Sequence, residues 1–160
     1  MVTWVELVRH RPDLAAAGRS LLYQYGVGLA FLATVRADGG PRVHPVCPLL
    51  SPRGLHAWVV PSPKRSDLHR DGRYALHSFP CEDNEDAFYV AGAATPVHDA
   101  AVENELRARF LAERGLPCPG EALAGQELFE LLVERCLHTT TTGHGDPNPR
   151  HAAWRAPAAS

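Results

Sequence analysis

Leu29-Ala30-Phe31-Leu32-Ala33-Thr34-Val35-Arg36 is an apolar run that fits a largely buried strand. Asp38-Gly39-Gly40 follows as a hairpin signal, and Arg42-Val43-His44-Pro45-Val46-Cys47-Pro48-Leu49 returns as a second strand. Pro45 and Pro48 predict a bulge or a sheet edge there, because proline brings no backbone donor to a ladder. Ser51-Pro52-Arg53-Gly54 carries turn residues, and Leu55-His56-Ala57-Trp58-Val59-Val60 is a third strand. Strands joined by hairpins pair antiparallel, so a doubly wound parallel sheet is not expected.

Around this hairpin the chain alternates simply. Thr3-Trp4-Val5-Glu6 reads as a capping box, and Pro12 starts a second helix running through to Leu21-Leu22-Tyr23, ended by Gly26 and Gly28. Arg73–Phe79 reads as a fourth strand and Ala87–Thr95 as a fifth, with Gly92 a bulge or close-approach point. Asp99 caps a helix ending near Gly115, with i,i+4 pairs expected at Glu103–Arg107 and Glu105–Arg109. Pro117, Pro119 and Gly120 mark a loop. Leu128–Thr142 fits a strand or a helix, and its four threonines favour a strand at the C-terminal end. Trp154 marks a last short strand or a docked tail. The expected fold is mainly β: a small antiparallel barrel of six to seven strands flanked by short helices, one domain over residues 1–160.

Pro61-Ser62-Pro63-Lys64-Arg65-Ser66-Asp67-Leu68 carries the chemistry. Ser62 is an N-cap and Pro63 the first helical residue, so Lys64 and Arg65 fall in the first turn. That end of a helix is already positive. Two cations there are frustrated unless an anion covers them, and a phosphate held by N–H groups, Ser62 and Lys64 is the simplest occupant. The bland alternative is a solvated turn.

Composition narrows the classes. An apolar share of 45% and a charged share of 21% are those of an ordinary globular chain. A net charge of −2 without a basic block argues against nucleic acid. No apolar run approaches a membrane span and no leader is visible, so a cytoplasmic protein is expected. Cys47, Cys81, Cys118 and Cys136 show no zinc-type spacing and read as reduced thiols. His138, His144 and His151 lack the spacing of metal ligands, so no metal is expected.

The hairpin Leu32–Val46, the run Pro61–Leu68 and the strand Tyr74-Ala75-Leu76-His77-Ser78 together resemble the pyridoxamine 5'-phosphate oxidase-like, FMN-binding split-barrel family over roughly residues 12–98. The resemblance implies a homodimer with flavin at the subunit interface and a phosphate on Ser62 and Lys64, beside Arg65. It also implies a second strand, His44, Pro45, Val46 and Cys47, along the flavin ring, with Trp58, Val59 and Val60 next to it. Authentic oxidases carry an Arg and a Lys on that strand where this chain has His44 and Leu49, and a flavin-contacting Gln where it has Ala87. These departures argue against pyridoxamine phosphate oxidation. They fit relatives that bind FMN, a deazaflavin coenzyme or haem.

The resulting expectation is an FMN-dependent oxidoreductase acting on a small molecule. The alternatives are a flavin, deazaflavin or haem carrier without turnover, and a relative that has lost its cofactor. His44 has two readings, a donor to a flavin heteroatom or a packed side chain bonded to a carbonyl. Trp154, an isolated aromatic in a Pro- and Ala-rich tail, is expected near the cofactor bound mainly by the other subunit.

Overall fold

The computed structural model describes residues 1–117 and 123–158. The sequence-predicted loop at Pro119 and Gly120 and the thiol of Cys118 lie outside them. Four helices, α1 (Trp4–His10), α2 (Pro12–Leu22), α3 (Pro63–Arg70) and α4 (Ala100–Glu113), accompany eight strands. The strands are β1 (Ala30–Val35), β2 (Pro41–Val46), β3 (Pro48–Ser51), β4 (Gly54–Val59), β5 (Arg73–Ser78), β6 (Ala87–Pro96), β7 (Glu127–Thr140) and β8 (Arg150–Arg155). All form one antiparallel sheet in the order β2-β1-β5-β6-β7-β4-β3, with β8 added on β7.

The two ends of that path are consecutive in sequence. β2 ends at Val46 and β3 begins at Pro48, so Cys47 alone joins the sheet's opposite edges. The sheet therefore curls into a barrel whose seam is a chain crossing, not a ladder. Residues 42–49, expected as one strand, belong to two. The prolines break the run, which is why eight strands appear where six or seven were expected.

Long β7 is the spine. Its first residues pair with β4 (Val59↔Glu127 to His56↔Glu130) and its last with β8 (Arg135↔Arg155 to Thr140↔Arg150), while β6 runs along the other side. The ambiguous stretch from Leu128 is thus strand as far as Thr140, and Thr141 and Thr142 lie beyond it. The β6 register shifts between Ala91 and Gly92, and a Cβ at Gly92 would lie 1.9 Å from the Leu132 carbonyl oxygen. Only glycine lets the backbones approach so closely.

Alternation divides the side chains between two cores. Leu32, Leu76, Phe88, Val90, Phe129 and Val133 fill the barrel interior, which α1 and α2 close with Trp4, Leu7, Leu14 and Leu22. On the outside, α4 lays Leu106, Phe110 and Leu111 over Leu49, Trp58 and Leu128. Asp99 caps α4 by accepting from the Ala101 and Val102 amides, as the sequence predicts. The Glu103–Arg107 pair also forms, at 2.8 Å. Glu105–Arg109 does not: Glu105 takes Arg53 of the β3–β4 turn at 2.7 Å, and Arg109 turns to Glu113. A bidentate guanidinium from outside the helix outcompetes the neighbour one turn away.

One half of the outer sheet surface belongs to neither core. It carries Phe31 and Val35 of β1, Val43 and Pro45 of β2, Ala75 of β5, Tyr89 of β6 and Leu137 of β7. Val43 is 58% exposed.

Candidate functional site

The seam at Cys47 and the start of α3 form one locality. β4 delivers the chain through Val59 and Val60 into Ser62, the N-cap of α3, whose backbone is extended (φ −168°, ψ 163°). Pro63 supplies the preset first helical residue. The Ser62 carbonyl accepts from the Arg65 and Ser66 amides at 3.0 and 3.2 Å. Its hydroxyl does not cap the helix; it donates to the Val60 carbonyl at 2.9 Å. No acid occupies the first turn of α3. The positive end of the helix is left uncompensated.

Lys64 sits at this end, half-buried. Burial pushes its ammonium below the ordinary lysine value, and only the nearby Cys47 sulfur pulls it back up. No carboxylate pairs with it among the described residues. Arg65, expected beside it, is turned away: Nη1 donates to the Gly125 carbonyl at 3.0 Å and Nε lies 3.8 Å from Glu127. Arg65 therefore ties α3 to the start of β7, and Lys64 is the cation left over the turn.

What fixes α3 against the seam was missed by sequence reasoning. Asp67, one turn after Lys64, is 4% exposed. Its carboxylate accepts from Arg42 Nε of β2 at 2.7 Å, from Thr34 Oγ1 of β1 at 3.0 Å and from Arg70 at 3.2 Å. Burial pushes the carboxyl up, but these three donors outweigh it and hold it below its usual value. Arg70 also donates to the Val35 carbonyl. Contacts 25 and 33 residues apart leave no local sequence signal.

The remaining expected residues divide by burial. Arg42, His44 and Val46 alternate onto one side of β2, the side that α3 crosses. Val46 and Val59 are buried in the barrel core, whereas His44, Pro45 and Val60 are exposed and Cys47 is half-buried. Trp154 lies elsewhere in the protomer. It is opposite Cys136 on β7, whereas Val59 is opposite Glu127, a separation of about 30 Å along the strand. Its ring stacks on His10 at 6.0 Å and packs on the barrel core. The tail is ordered because β8 pairs with β7.

Among the described residues no three His, Cys, Asp or Glu side chains are grouped to hold a metal ion. Of the C-terminal histidines, His151 bonds Thr139 and His144 bonds the Glu82 carbonyl. Cys47, Cys81 and Cys136 are free thiols. No helix among the described residues is long and apolar enough to cross a membrane.

The seam, the curled antiparallel sheet and the helix after β4 define the pyridoxamine 5'-phosphate oxidase-like split-barrel fold. No protein-family model matches the sequence, and no curated protein does. Solved structures share its fold. A haem-binding protein from Mycobacterium smegmatis superposes with a TM-score of 0.68 at 18% identity, covering 91% of this chain and 59% of that one. This chain thus spans about three-fifths of that protein's length. HutZ, the haem storage protein of Vibrio cholerae, gives 0.55 at 17% identity over 78% of this chain and 89% of its own. A candidate pyridoxamine 5'-phosphate oxidase from Listeria innocua gives 0.60 at 14% identity over 78% and 96%.

Proposed function

We propose that the protein binds FMN between two copies of itself and uses it as an oxidoreductase on a small molecule. The observation that carries this reading is Lys64: a half-buried ammonium without a carboxylate, over an uncapped helix start. A phosphate satisfies the ammonium and the helix end at once. Bound FMN supplies the redox chemistry; the protein binds and orients. Ser62 and Lys64 hold the phosphate, Asp67 keeps their helix in place, and exposed His44 and Pro45 border the seam beside the ring. The apolar outer half-sheet, with Val43 at its rim, is the surface that a second copy covers.

The second reading is haem carriage without turnover. Two structural neighbours are a haem-binding and a haem storage protein. Exposed His44 is an available imidazole on β2. The absorption spectrum of purified protein, with mass identification of the released group, separates the two. An oxidised-flavin spectrum and the mass of FMN support the first reading. A Soret band supports the second, and a protein that takes up neither overturns both.

A further inference from the structure

We propose a second binding site, for an amphiphilic carboxylate (an unbranched apolar chain ending in one carboxylate), in the cleft between α1, α2 and the end of β3. The cleft has a volume of about 540 Å³, within the range of small-molecule pockets. Trp4, Val8, Ala16 and Pro52 contribute its apolar walls. Val8 is 45% exposed, a large apolar side chain left to water on a helix whose other face is in the core. Arg19 of α2 and Arg109 of α4 reach the same cleft.

The charge there is unbalanced. Arg109 lies 3.6 Å from Glu113, and Arg114 lies 4.0 Å from the same carboxylate. Glu113 also accepts from the Tyr23 hydroxyl at 3.3 Å. Arg19 rests over the Tyr23 ring at 5.6 Å and pairs with no carboxylate among the described residues. Arg109 and Arg114 therefore share one carboxylate, and Arg19 has none. A second carboxylate complements them, and apolar walls select a hydrocarbon chain behind it.

This site is separate from the seam. The cleft touches Ser51, which pairs with Gly54 at one end of β4; Ser62 follows the other end, about 17 Å away.

Titration of the whole chain with octanoate, decanoate and dodecanoate below their micelle-forming concentrations, followed by calorimetry, tests it. Saturable binding is expected, tightening about three- to fourfold per buried methylene. Dodecanol should bind at least tenfold more weakly than dodecanoate, at about the strength of one charge-assisted contact. The exposed double substitution Arg19→Gln/Arg109→Gln should abolish that preference, Ala16→Trp should block the cleft, and Lys64→Ala should leave binding unchanged. Circular dichroism checks that each variant folds, and the arginine pair carries the test if Ala16→Trp does not. No saturable dodecanoate binding, equal binding of dodecanol, or unchanged preference in the arginine variant overturns the proposal.

Discussion

Asp67 of α3 grips Arg42 of β2 at 2.7 Å and so ties the helix that follows β4 to the β2 edge of the sheet. The carboxylate is buried and the guanidinium only partly so, and Thr34 and Arg70 complete its shell. One residue thus sets where the first turn of α3, with Lys64, stands relative to β2.

Asp67→Ala removes the acceptor of three donors. The expected loss is about 1.5–3 kcal/mol, the worth of hydrogen bonds to a charged group, because both arginines retain solvent. Urea unfolding measures it. A midpoint equal to that of the parent would show that the arginines rehydrate without cost.

Leu137→Glu places a charge on the outer half-sheet without disturbing either core. If that surface is covered by a second copy, light scattering should report a dimer for the parent and a monomer for the variant at micromolar concentration. A parent monomer would contradict the shared-site account.

His56 should make stability depend on pH. It is 3% exposed, its Nδ1 has no hydrogen-bond partner, and burial pushes its pKa down from 6.5 to about 4. Below pH 6.5 the unfolded chain binds this proton first, so stability is full above that pH and falls on acidification to about pH 4. The span corresponds to about 3 kcal/mol. Glu130, opposite on β7, has its pKa raised by burial and offsets part of the slope, since its contribution is lost as pH rises. His56→Gln should flatten unfolding free energy between pH 7 and 5; an unaltered slope there would assign it to other groups.

Gly92→Ala should destabilise by about 1–3 kcal/mol, as overpacking does, because its Cβ meets the Leu132 carbonyl backbone and not a movable side chain. A thermal melt reads this directly. A neutral result would mean that β6 and β7 separate freely at the bulge.

Local signals were legible in the sequence and long-range ones were not. The Thr3–Glu6 capping box, the Asp99 cap and the Gly92 bulge all follow from spacing or from a missing side chain, and all form. The two prolines beside Cys47 announced a disturbed strand, but that the disturbance is the barrel's seam depends on where β3 pairs. Ser62 and Lys64 stood out because frustration at a helix start is visible in eight consecutive residues. Arg65 carries the same local signature, yet Gly125 and Glu127 claim it from 60 and 62 residues away. The Asp67–Arg42–Thr34 cluster and the diversion of Glu105 to Arg53 are likewise choices among distant partners. Trp154 is an isolated aromatic in sequence, and the β8 pairing with β7 and the His10 stack that order its tail join residues too far apart to leave a local signal.

The central claim is that Lys64 holds a phosphate, and two ligands test it. Lys64→Ala removes a charge-assisted hydrogen bond worth about 1.5–3 kcal/mol. FMN affinity, read by flavin fluorescence quenching, should fall roughly 10- to 150-fold. Riboflavin, which lacks the phosphate, should lose little. Equal losses for the two ligands, or no loss for either, would contradict the account.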